Sequence, residues 1–90
     1  MNPRVKSVRP KKNYTLILTF ENNETKLFDV SPYLDQGIFV ELKDPEYFKQ
    51  VEATMGSVQW PHGQDFCPDT LFESSIACPP QYKKTLWLQR

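Results

Sequence analysis

Glycine, cysteine and histidine are scarce in this chain, with three glycines, two cysteines and one histidine among 90 residues. Each shortage excludes something. Gly37, Gly56 and Gly63 stand too far apart to form a glycine-rich phosphate loop. Structural zinc sites use close ligand pairs, each clipping the ion from one local turn. The only set of residue types resembling ligands is His62, Asp65, Cys67 and Cys78, and it contains no such pair, so no metal and no cofactor is expected. With one loop histidine near Cys67 and no readable oxyanion-stabilising nest, a Cys-His nucleophile pair is unsupported and the chain is read as non-enzymatic. No apolar run approaches the ~20 residues of a membrane span. Met1-Asn2-Pro3-Arg4 lacks the apolar core of a signal peptide, which sets the expectation of a cytoplasmic protein with reduced thiols.

Net charge is also missing, because eleven basic side chains balance eleven acidic ones. The balance hides a segregation. Arg4, Lys6, Arg9, Lys11 and Lys12 precede any acid, every acid lies between Glu21 and Glu73, and Lys83, Lys84 and Arg90 close the chain. If both ends lie on one side, the molecule is electrically polar and suited to a charged partner; solvated termini are the plainer account. No helix-turn-helix, zinc-finger or basic-zipper pattern is present, and no aromatic platform interleaves the basic segment, so autonomous DNA binding is not expected.

What is present is strand and turn signal. Asn13 to Val30 reads as two strands joined at Asn22-Asn23, with Tyr14, Leu16, Leu18 and Phe20 on the buried face. A three-residue loop puts Phe28 and Val30 on the face of Leu16 and Leu18, with Lys26 at the open end beside Phe20. A two-residue loop would set Asp29 against Leu16. Arg4 to Pro10 reads as an edge strand beside this hairpin, where lysine and proline are tolerated. Ser31-Pro32-Tyr33-Leu34 reads as a short helical corner, serine at the N-cap and proline following, stopped by Gly37. Ile38 to Leu42 supplies Phe39 and Leu42 to the core, as a strand or as the end of that corner.

Asp44 to Val51 carries a clearer helix signal, an aspartate cap with proline at the first helical position, and is expected to lie on the hairpin's apolar face. Residues flanking Gly56 predict a second small hairpin anchored by Trp60. A terminal helix over Asp69 to Ile76 would pack Leu71, Phe72 and Ile76, broken by Cys78-Pro79-Pro80. Tyr82 to Arg90 is either a docking strand or a tail. The sum is one α+β domain over residues 1–90: an antiparallel sheet built on the 13–30 hairpin, with two or three short helices in a single layer on one face. A chain of this size buries one core and leaves no internal cleft of enzyme dimensions.

Several of these residues form a succession with a known counterpart. Leu16-x-Leu18-x-Phe20, Leu27-Phe28-Asp29-Val30, Leu34-Asp35-x-Gly37-x-Phe39-x-x-Leu42, Asp44-Pro45-x-x-Phe48 and above all Trp60-Pro61-x-Gly63-x-Asp65-x-x-Pro68-x-x-Leu71 resemble the bacterial domain of unknown function 2442. The resemblance covers about Val5 to Glu73. It departs at Phe72, where tyrosine is common, and in the extension after Glu73. It implies a small α+β domain, related to one sometimes joined to a helix-turn-helix unit. Genes of this kind often neighbour a small toxin-like gene, which implies a protein partner and an antitoxin-like role; no activity is established for the family. A small-ligand or metal-responsive regulatory domain is the alternative.

The Trp60 to Leu71 motif itself supports two accounts. In one, Pro61 and Gly63 shape a turn, Asp65 accepts backbone N–H bonds or caps the next helix, and Trp60 and Leu71 pack. In the other, Trp60, His62 and Asp65 rim a recognition surface. The oligomeric state is not legible from the sequence.

Overall fold

The computed structural model describes residues 2–77. Strand β1 (Val5–Lys11) runs antiparallel to β2 (Thr15–Phe20), which pairs in turn with β3 (Thr25–Asp29). A two-residue strand, β6 (Ile76–Ala77), closes the other side, giving the order β1-β2-β3-β6. Leu16 faces Phe28 and Leu18 faces Lys26, the register of the three-residue loop. Asn23 adopts φ 71° to close that loop, a left-handed conformation that asparagine tolerates. Lys26 sits near the loop end of the hairpin, not its open end, with Nζ donating to Phe72 O at 2.8 Å and lying 4.0 Å from the centre of the Phe72 ring.

Period-2 alternation gives this sheet two different faces. Leu16, Leu18, Phe20, Phe28 and Val5 point into the core, and every one of them is buried. The helical segments and a second hairpin cover that face. Strands β4 (Glu52–Thr54) and β5 (Ser57–Gln59) form this hairpin, which docks on β1 where Val5 N–H donates to Gly56 O at 2.9 Å. The edge strand expected over Arg4 to Pro10 and the small hairpin around Gly56 are both present.

Four local expectations need correction. Tyr14 is not a strand residue: it and Asn13 adopt φ 59° and 62° in a corner over Lys12–Tyr14, and β2 begins only at Thr15. Tertiary bonds hold that corner, with Tyr14 Oη donating to Lys43 O and Val30 N–H donating to Tyr14 O. Ser31 does not cap the turn Ser31–Tyr33. Val30 is at the N-cap position with no side-chain bond, and Asp29 Oδ1 accepts from Ser31 N–H at 2.9 Å. Ile76 leaves helix α2 (Pro68–Ser74) and pairs with Leu27, so its side chain is 63% exposed rather than packed. Asp65 does not cap that helix; Cys67 occupies the N-cap position without a side-chain bond.

The remaining segments match or sharpen the reading. Gly37–Lys43 is 3-10 helix, which eclipses residues three apart and so sends Phe39 and Leu42 inward together while Ile38 and Val40 stay exposed. Helix α1 is Pro45–Phe48, and Asp44 Oδ1 accepts from Glu46 N–H at 3.0 Å as its cap. It lies at the hairpin's base, with Phe48 edge-on to Tyr14 at 5.4 Å and 5.9 Å from Trp60. The expected break at Cys78-Pro79-Pro80 and the Tyr82 to Arg90 segment lie outside the described residues.

The basic end of the chain meets acidic segments at two places. Lys6 Nζ donates to Asn23 Oδ1 on the hairpin loop, next to Glu24, and Asn2 Nδ2, ahead of β1, donates to Glu73 Oε2.

Candidate functional site

The loop from Trp60 to Cys67 is held by a polar ring built on one buried amide. Gln64 is only 3% exposed. Its Oε1 accepts from Tyr47 Oη at 2.7 Å, and its Nε2 donates to Ile38 O at 3.1 Å and to Glu41 Oε1 at 2.9 Å. Tyr47 Oη also accepts from His62 N–H at 2.9 Å, and the two rings stack with centroids 5.1 Å apart. Glu41 Oε2 completes the circuit, 2.6 Å from His62 Nδ1. Three chain segments are thereby tied together, and every buried polar side-chain atom among the described residues has a partner. A fully satisfied network of this kind fixes one loop geometry.

Trp60, His62 and Asp65 are not brought together. Trp60 is 1% exposed, with Nε1 donating to Phe48 O at 2.9 Å, so its ring packs and offers no exposed anchor. The imidazole of His62 is exposed beside Glu41. Asp65 is exposed on another side, bridged through its backbone to Gln59, and lines a cleft of about 630 Å³ with Arg4, Met55 and Cys67. Among the described residues no three His, Cys, Asp or Glu side chains converge on a point that would hold a metal ion. Glu41, Tyr47 and Gln64 were missed by sequence reasoning. Only Glu41 left a trace, as the one charge inside the apolar run from Ile38 to Leu42.

Two further surfaces carry chemistry. An open groove of about 900 Å³ at the base of the hairpin has Lys11, Lys12 and Lys49 around Tyr14 and Phe48. Lys49 is paired with Glu46 at 3.3 Å. The other surface is the outer face of the four-stranded sheet. The register aligns Arg9, Ile17, Leu27 and Ile76 in one row across all four strands. Lys11, Thr15 and Asp29 form the row on one side of it; Ser7, Thr19 and Thr25 form the row on the other. Ile17 and Leu27 do not belong to the core cluster or to the apolar side chains packed against it.

A family model described as "Protein of unknown function (DUF2442)" matches residues 5–77. The chain belongs to this family. The match spans most of the sequence and runs through β6, a few residues beyond the segment that carried the resemblance. A search of curated proteins found no match, and neither did a search of solved structures. In this DUF2442 member the Trp60 to Leu71 motif is used mainly for packing: Trp60 and Leu71 are buried, and Gly63 turns at φ 99° with its N–H donating to Trp60 O. Phe72 needs no hydroxyl for its two contacts, an edge-on approach to Phe20 at 5.0 Å and the Lys26 ammonium over its face.

Proposed function

We propose that this DUF2442 domain is a non-catalytic protein-interaction module whose contact surface is the outer sheet face. The row of Ile17, Leu27 and Ile76 carries the reading. Antiparallel sheets often leave one face to water, but that face is then usually polar. Here three aliphatic side chains run across three adjacent strands outside the core cluster, Ile76 exposed and Ile17 and Leu27 half-buried. Rimming by threonine and by charges of both signs is the pattern of a docking patch. The family resemblance supplies the biological setting: an antitoxin-like role in the bacterial cytoplasm, with a small toxin as protein partner and no demand for a cofactor. His62 and Asp65 flank the module on other sides and are secondary contacts in this reading, while Trp60 supports them from the core.

The test is capture of the neighbouring gene product by the tagged full chain, repeated with Leu27→Glu. Specific capture that the substitution abolishes, with the fold intact by circular dichroism, is the expected result. Capture that ignores Leu27→Glu would move the contact elsewhere.

A further inference from the structure

We infer that the protein chain seated on the outer sheet face is a second copy of this same chain, related by a two-fold axis that runs parallel to the strands. The inference rests on the interaction-module reading and names what occupies that surface when the proposed toxin partner is absent. Its basis is the placement of charge on the face. Arg9 and Lys11 sit on β1, whereas Asp29 sits on β3, in the same row as Lys11. Among the described residues the ion pairs are Lys43–Asp35 and Lys49–Glu46, and Glu41 contacts His62, which leaves Arg9, Lys11 and Asp29 without an ion pair. Asp29 uses Oδ1 on Ser31 N–H and keeps a second oxygen for a further donor.

Two ways of placing an in-plane two-fold on this face give opposite outcomes. An axis perpendicular to the strands lays each strand over its own copy, so Arg9 meets Arg9 and the charges repel. An axis along the strands, between β2 and β3, keeps every row in place and reverses the strand order. Ile17 then lies over Leu27 of the second copy, and Thr19 over Thr25. The aliphatic stem of Arg9 covers Ile76 of the second copy. Lys11 ends one strand away from Asp29 of the second copy, about 5 Å sideways across a gap of about 10 Å between sheets. A lysine side chain closes that distance, and the two-fold makes the pair twice. The same operator makes the contact isologous, so it closes at two copies instead of growing into a fibre.

Size sets the strength. Strands of seven, six, five and two residues, at about 3.3 Å per residue and about 4.8 Å spacing, give a face of roughly 300 Å² per copy, under half the ~800 Å² of a standard interface. The pair is therefore a weak, reversible one, at the small end of specific contacts.

Sedimentation velocity on the full chain from about 1 to 500 µM tests this, with circular dichroism confirming the fold of each variant. The mass should double across the series, and Leu27→Glu should move the midpoint at least about tenfold upward. Lys11→Asp and Asp29→Lys should each weaken self-association, since each places like charges across the interface. An equimolar mixture of these two variants should recover the wild-type midpoint, because every cross pair is then Lys with Asp. A purely structural effect of either substitution would not be reversed by mixing. A chain that stays monomeric to 500 µM, or a dimer indifferent to Leu27→Glu and to the mixing, overturns the inference. If the chain is monomeric and still captures the neighbouring protein through Leu27, self-pairing fails and the module reading stands; if Leu27→Glu changes neither, both fail.

Discussion

Trp60 and Gln64 show how single residues set the geometry of the Trp60 to Cys67 loop from within. Trp60 combines full burial with a hydrogen bond to the carbonyl of Phe48, one of the carbonyls that the end of a helix leaves without an internal partner. Truncation removes both terms. Trp60→Ala is expected to lose about 3 to 5 kcal/mol of stability, the range for deleting a buried aromatic. That is a large part of the ~5 to 15 kcal/mol of a small domain, so the variant is expected near the edge of folding. Trp60→Phe keeps most of the apolar volume but strands the Phe48 carbonyl, and urea melts should show about 1 to 3 kcal/mol lost. A Trp60→Ala loss below ~1 kcal/mol would contradict the burial. Tyr47→Phe probes the polar ring in the same way. It leaves Gln64 Oε1 without its donor and the His62 N–H without its acceptor, two groups at the inner side of the loop. The expected loss is again about 1 to 3 kcal/mol in the same melts, and a neutral result would mean water replaces the hydroxyl.

At the scale of elements, the second hairpin is where a residue type and a backbone conformation disagree. Met55 and Gly56 take φ 51° and 82°, the pair of left-handed positions of a type I′ turn, which asparagine followed by glycine suits best. Glycine is required at the second position twice over. A Cβ on Gly56 would stand 2.7 Å from Arg4 Cδ, and the turn is held to β1 by Arg4 Nη1 donating to Met55 O at 3.1 Å. Methionine at the first position gains nothing from packing, since it is 90% exposed. Met55→Asn should therefore stabilise the domain by about 0.5 to 1 kcal/mol, and Gly56→Ala should destabilise it by more than that, both read from denaturant midpoints. The same contrast explains what the sequence could say. The register of the first hairpin was legible because one slip would have buried Asp29 against Leu16, a penalty written in residue types. The corner at Asn13 and Tyr14 was not, because no propensity favours a left-handed tyrosine. Its conformation is fixed by Lys43 and Val30, which are distant in sequence. The polar ring was hidden for the same reason. A glutamine between Gly63 and Asp65 looks like any loop residue until folding brings Glu41 and Tyr47 to it.

For the whole molecule, what matters is how eleven cations and eleven anions are distributed once the chain is folded. Binding to duplex DNA grows with the number of phosphates a protein neutralises, and each contact steepens the loss of affinity with salt. Lys11 and Lys12 are side by side at one end of the sheet, but Arg4 and Lys6 lie at the other, near Glu21 and Glu24. In the face-to-face pair, Lys11 is also drawn to Asp29 of the second copy and withdrawn from any other anion. The described surface thus offers duplex DNA few cations in one place, so the isolated chain should bind it only non-specifically, with Kd weaker than ~1 µM at physiological salt. Fluorescence anisotropy with a labelled duplex at about 50 and 200 mM salt measures both quantities. A sub-micromolar Kd, or a loss of ~10³-fold or more between the two salts, would show many phosphates neutralised at once and would replace the protein-partner reading with a nucleic-acid one. Weak binding with a shallow salt slope, alongside self-association that Leu27→Glu abolishes, is the outcome expected of a molecule whose main unsatisfied surface is an apolar row and not a basic one.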